Sequence, residues 1–89
     1  MHTVYQLKHK RSARSYIGVT GDVDHRMAQH RSATFKGDRM HLALYQALRQ
    51  FGFDAFTVSV KNFSRKRDAI REEARLIKEL QPSLNKNGK

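Results

Sequence analysis

Near the start of the chain stand two β-prone strings, Thr3-Val4-Tyr5 and Tyr16-Ile17-Gly18, whose tyrosines are eleven residues apart. Val4, Gln6 and Lys8 alternate with Thr3, Tyr5 and Leu7, and Ser15 to Thr20 is a second extended run. The segment from His9 to Arg14 then reads as the loop of a β-hairpin. A register in which opposed residue numbers sum to 21 would set Tyr5 directly across from Tyr16 on one face, and a slip of one residue would separate them. Such a pair can be a stabilising aromatic contact, or two phenol hydroxyls held together for chemistry.

The rest of the chain alternates between helical and extended periods. Gly21-Asp22 is punctuation, Asp22 can cap a helix, and Val23 and Met27 carry that helix to about Ser32. Ala33 to Asp38 is a polar, glycine-containing connection. Leu44, Ala47, Leu48 and Phe51 recur at helical spacing, so a second helix is predicted over roughly Arg39 to Phe51, stopped by Gly52. Phe56, Val58 and Val60 alternate with Thr57 and Ser59, the period of a half-buried strand that should join the hairpin's sheet. Ser64 can cap a last helix whose inward face is Ile70, Ala74, Ile77 and Leu80, ended by Gln81-Pro82, with a short polar tail after it. The predicted fold is α/β, a small sheet against helices in the order β-β-α-α-β-α.

Charge narrows the partner. With 18 Lys+Arg against 8 Asp+Glu the formal net charge is +10, which favours a polyanion, most simply nucleic acid, over a surface charged only for solubility. No basic amphipathic helix suggests a membrane surface. Eighty-nine residues make one domain of modest core. The chain has no cysteine, which excludes disulfides, thiolate metal sites and cysteine nucleophiles. No spanning or signal-like stretch is evident, so a soluble, cytoplasmic protein is expected.

Four features could carry chemistry. Glu73 shares a helical face with Ile70, Ile77 and Leu80, a seat the pattern reserves for an apolar residue. A carboxylate turned toward a core must be paired, hydrogen-bonded or metal-bound. A salt bridge to one of the basic side chains and a metal site are both open on this pattern. Glu72 falls about 100° round the helix, where a solvated carboxylate is ordinary. Arg26 and His30 form an i, i+4 pair, either a solvated helix face or a guanidinium and an imidazole that reach one phosphate. Lys8, Lys10, Arg11 and Arg14 cluster at the hairpin tip, and Arg65, Lys66 and Arg67 open the last helix, as candidate backbone-phosphate contacts. The second cluster opposes its own helix dipole. His2, His9, His25 and His41 have no metal-ligand spacing and read as surface residues.

Taken together these residues resemble the catalytic domain of the GIY-YIG nucleases across nearly the whole chain. Thr3-Val4-Tyr5 stands where the family has Gly-Ile-Tyr, and Tyr16-Ile17-Gly18 matches the second signature. Arg26 and His30 fall at the expected places, Glu73 to Lys78 resembles the helix with the metal-binding glutamate, and Gln81 to Asn85 resembles the closing Pro-x-x-Asn segment. Leu44 to Ala47 and Phe51 to Phe56 look like the middle region of homing-endonuclease and phage members.

The resemblance implies a central three-stranded antiparallel sheet flanked by helices and a DNA endonuclease. Glu73 would be the one protein ligand of a divalent cation, magnesium with manganese able to substitute. Tyr5 would be the general base or water-positioning phenol, Tyr16 and His30 would orient the phosphate and its water, Arg26 would stabilise developing charge, and Asn85 would support the site or bind the phosphate region. A phenol of ordinary pKa near 10 needs nearby cations to ionise at neutral pH. Some relatives have a lysine where this chain has Val19-Thr20, which leaves Lys8, Lys10, Arg11 and Arg14 as substitutes. Many relatives carry a separate recognition domain, so target choice is expected from the module, from a homo-oligomer or from a partner protein. The alternative is a basic nucleic-acid-binding module of the same fold that cuts little or nothing.

Overall fold

The computed structural model describes residues 1–36 and 42–85, arranged as β1 (His2–His9), β2 (Ser15–Thr20), α1 (Val23–Lys36), α2 (Leu42–Phe51), β3 (Phe56–Phe63) and α3 (Lys66–Leu80), with 3₁₀ turns at Phe53–Ala55 and Ser83–Asn85. The sheet is antiparallel in the order β2-β1-β3, as expected. Because β1 is central, both of its faces are buried. Tyr5 and Leu7, with Tyr16 of β2, pack under Leu44, Tyr45, Ala47 and Leu48 of α2. Val4 and Ile17 pack on the opposite face against Ala69, Leu76 and Ile77 of α3. The sheet therefore lies between helices on both sides.

The hairpin register differs from the predicted one by two residues. Opposed numbers sum to 23, so that Tyr5 faces Gly18 and Tyr16 faces Leu7. A shift of two preserves the face, which leaves the tyrosines diagonal with ring centroids 6.0 Å apart. Gly18 is the physical reason. A Cβ there would lie 2.6 Å from both Cζ and Oη of Tyr5, so only glycine lets the ring lie across β2.

Other expectations are corrected by packing. Strand β3 is an edge, and only Phe56 is buried, while Val58 and Val60 are exposed because no helix covers them. Helix α1 runs past Ser32 to Lys36, absorbing the start of the expected connection, while residues 37–41, and with them His41 and the predicted helix start at Arg39, lie outside the described residues. His9 is buried, not superficial. Its ring stacks 4.3 Å from Phe51 and 5.3 Å from Phe56. His2 is partly buried and His25 exposed. Asp22 does cap α1, accepting from the His25 amide at 3.0 Å. Ser64 does not cap α3, whose N-cap is Arg65 in extended backbone without a side-chain cap bond.

In α3 the inward stripe is rotated by one residue from the predicted one. Ala69 is fully buried with Leu76 and Ile77 packed beside it, whereas Ile70, Ala74 and Leu80 are exposed. Only the small Ala69 fits the close approach to the sheet. Helix α3 ends with Gln81 in the left-handed region at φ 45°, its amide bonded to the Ile77 carbonyl. The closing segment is no solvated tail. Leu84 joins the core under α2, and Asn85 pairs with the outer edge of β2. Among the described residues no helix is long and apolar enough to cross a membrane.

Replacing Gly18 with alanine should destabilise the protein by about 1–3 kcal/mol through overpacking, measured by urea unfolding. In a Tyr5→Leu background the cost should shrink, because the ring that the methyl meets is gone. An equal cost in both backgrounds would disprove the contact.

Candidate active site

The site is assembled from five elements. Tyr5 comes from β1 and Tyr16 from β2, both almost fully enclosed. His30, two turns into α1, is completely buried, and its Nε2 lies 3.0 Å from the Tyr5 hydroxyl. Its ring also sits 6.2 Å from Tyr16 and 5.7 Å from Tyr45. A solvated helix face is thereby excluded for His30. Arg26, one turn earlier, is partly buried, and among the described residues its Nε meets no hydrogen-bond donor or acceptor. Such an atom suits an anion brought by a substrate, because arginine's fork matches phosphate oxygens.

Glu73 lies in the true inward stripe of α3, one turn beyond Ala69, and is partly buried. No described cation pairs with it. Burial pushes its carboxyl above the ordinary range. Glu72 is the opposite case. It accepts from Arg75 Nε at 2.8 Å and Nη2 at 2.9 Å and has Lys61 Nζ at 3.5 Å, while Arg75 also reaches Glu79 at 2.7 Å. The Arg75 guanidinium holds the Glu72 carboxyl down at about 2. Basic side chains thus neutralise Glu72 and Glu79, whereas no described cation pairs with Glu73. Among the described residues no group of three or more His, Cys, Asp or Glu could enclose a metal. The donor set fits a hard cation held by one carboxylate, with water and phosphate oxygens as its remaining ligands.

Electrostatics tie Tyr16 to α3 and both phenols to α1. Burial pushes the Tyr5 hydroxyl well above the ordinary phenol range, Tyr16 beside it adds to the rise, and Arg26 works against it. Burial also raises Tyr16, with the Glu73 charge adding to the rise and Arg26 opposing it. Among the described residues the cation that acts on Tyr5 is Arg26. Lys8, Lys10, Arg11 and Arg14 are exposed at or beside the hairpin tip and do not take the expected role. Burial outweighs Arg26, so among the protein's own groups the balance favours the protonated Tyr5 hydroxyl.

Asn85 is committed to the backbone. Its Oδ1 accepts from the Ile17 amide and its Nδ2 donates to the Ile17 carbonyl, each at 2.8 Å. The side chain thus completes the open edge of β2 as a strand would, next to Tyr16 and Gly18. Thr3, at the signature glycine position, donates to Asn62 Oδ1 at 2.7 Å and links β1 to β3. Arg65, Lys66 and Arg67 are exposed at the start of α3. Tyr45 falls in the Leu44 to Ala47 stretch that resembles the family's middle region, and only tertiary packing places its ring 5.7 Å from His30.

Glu73 also has a stability signature. A carboxyl whose folded pKa is raised contributes no penalty below its ordinary value of 4.5, where it is protonated folded or unfolded, and a growing penalty as pH rises through the raised value. Glu73→Gln should therefore melt higher than the unsubstituted protein at pH 8 in a metal chelator, with the difference vanishing near pH 4 by scanning calorimetry. A lower melting point at pH 8 would mean that the carboxylate is already compensated. No curated protein and no solved structure matches the chain. The family model described as the GIY-YIG catalytic domain matches residues 1–87. The chain belongs to the GIY-YIG family, a membership that implies nuclease activity on nucleic acid.

Proposed function

We propose that the chain is a metal-dependent DNA endonuclease that hydrolyses phosphodiester bonds and nicks one strand per active site. Tyr5, Tyr16, Arg26, His30, Glu73 and Asn85 form the working set. The observation that carries this reading is the partly buried Glu73 carboxylate, uncompensated by any described cation and acting on the Tyr16 hydroxyl. A chain of charge +10 has cations to spare, and a module that only bound nucleic acid would have no use for such a carboxylate.

Glu73 would hold magnesium, or manganese in its place, and the bound cation supplies Lewis-acid polarisation of a phosphoryl oxygen and stabilises developing charge. The protein's own groups manage the proton. Since that balance favours the protonated Tyr5 hydroxyl, it serves as a relay. Its oxygen takes a proton from the attacking water while its own proton passes to His30 Nε2, 3.0 Å away. One water O–H bond and the original phenol O–H bond break, a new phenol O–H and an imidazole N–H form, and the hydroxide adds to phosphorus as the scissile P–O bond breaks, the departing alkoxide taking its proton from solvent. This requires the imidazole tautomer with its proton on Nδ1. Arg26 presents its guanidinium to the phosphate, where charge grows in the transition state. Tyr16 orients the phosphate, and Asn85 holds the strand that carries Tyr16. Exposed cations at both ends of the sheet, Lys8, Lys10, Arg11 and Arg14 with Arg65, Lys66 and Arg67, draw in the DNA backbone.

Supercoiled and single-stranded DNA incubated with magnesium or manganese should be nicked by the unsubstituted protein and left intact by Glu73→Ala, which still binds. Binding without cleavage in every metal would leave the module a binder, and equal cleavage by Glu73→Ala would remove the carboxylate from the chemistry. Tyr5→Phe should slow single-turnover cleavage by about 10²-fold or more with little change in DNA affinity. Because the relay acts as a unit, His30→Ala added to Tyr5→Phe should cost far less than the product of the two single effects.

A further inference from the structure

Away from the phenols, a cleft of about 600 Å³ opens between the hairpin tip and the C-terminal end of α3. Lys8, Lys10 and Arg11 line it with Ser12, Ser15 and Leu80, and no acidic residue is among the described side chains of its wall. The loop is already ordered. The His9 amide donates to the Arg14 carbonyl at 2.9 Å, the Lys10 amide to the Ala55 carbonyl at 3.0 Å, and the Arg14 amide to Ser12 Oγ at 3.2 Å. His9 itself is fixed between Phe51 and Phe56. The cations thus stand on a preorganised rim, which lowers the cost of binding. The C-terminus of α3 opposes an anion with about half a negative charge, which three cations outweigh.

One feature aligns this cleft with Glu73. Lys8 and Ser15, opposed in the ladder, point to the same face of the sheet as Val4 and Ile17, the face that α3 covers. Leu80 follows Glu73 by seven residues, two turns along the same side of α3 and about 10 Å away. A nucleic-acid strand advances about 3.4 Å per nucleotide, so that span corresponds to about three nucleotides. Leu80 is half exposed and adds an apolar surface to the polar wall. Cations beside an apolar surface match a phosphate and its sugar.

We propose that this cleft is a subsite for the backbone of the DNA substrate, gripping the phosphate and sugar about three nucleotides from the scissile bond. It deepens the nuclease reading and rests on it for the position of the cut. Lys8, Lys10 and Arg11 take the phosphate without reading bases, and Leu80 supports the sugar. A substrate must then extend past the cut on one side to be held firmly.

Binding is measured by fluorescence anisotropy in a Glu73→Gln background without metal, so that the result does not depend on cleavage. Lys8→Ala with Lys10→Ala removes two charges from the cleft, and Arg71→Ala with Lys78→Ala removes two from the exposed side of α3. The cleft pair should weaken binding of a labelled 16-nucleotide strand by about tenfold and make the salt dependence shallower by roughly 0.7 for each phosphate no longer neutralised, with the control pair well short of both. Leu80→Glu should behave like the cleft pair. Equal weakening by both pairs, or none by the cleft pair, would overturn the subsite. In the cutting protein, trimming the substrate to fewer than three nucleotides on one side of the mapped nick should erase the difference made by the cleft pair. A difference that survives trimming on either side would overturn the placement, while absence of cutting with the anisotropy result intact would count against the nuclease reading alone.

Discussion

The ring of Tyr5 lying across Gly18 is the contact on which the site depends. It occupies the space a side chain on β2 would fill, and it sets the hairpin register that brings Tyr5, Tyr16 and His30 within 6.2 Å of one another by ring centroid. Strand β1 is central, and its neighbours on both faces hold that ring in place. Asn85 then locks β2 from outside with two hydrogen bonds, so the last described residue helps to fix one of the first two strands.

Enclosure decides the protonation chemistry. The same packing that orders the two phenols removes them from water, and the missing solvation outweighs the nearby guanidinium. A buried phenol of this kind is a poor reservoir of phenolate and a good conduit for a proton, provided an acceptor stands behind it. His30 Nε2 occupies that place. The division of labour on α3 follows the same logic: Glu72, near Arg75 and Lys61, is neutralised by ion pairs, whereas Glu73 faces the sheet and stays uncompensated.

Much of the site was legible in the chain. Tyr5 and Tyr16 lie on one face because strand periodicity survives a register error of two, and Arg26 and His30 lie together because four residues make about one helical turn. Glu73 stayed in the inward stripe even though that stripe turned by one residue, since position 73 neighbours both. Helix boundaries were less legible. Ser64 had the chemistry of a cap but the backbone passed it by, and Val58 and Val60 alternate as a half-buried strand would, on a face of the edge strand that no described helix covers. His9 continues the Thr3, Tyr5 and Leu7 alternation by one position, but the rings that enclose it, Phe51 and Phe56, come to it from other elements.

Local periodicity and charge, carried by consecutive residues, determined by themselves the element order, the shared face of Tyr5 and Tyr16, the pairing of Arg26 with His30 and the positive charge that favours nucleic acid, and the family resemblance added Asn85 to the candidate groups. Only the tertiary structure decided the register, the burial of His9 and His30, the use of both Asn85 amide atoms, the enclosure of Tyr45 and the cation that acts on Tyr5. Those depend on distances between residues remote in the chain, and burial is a property of the neighbours that fold around a group, which no local pattern contains.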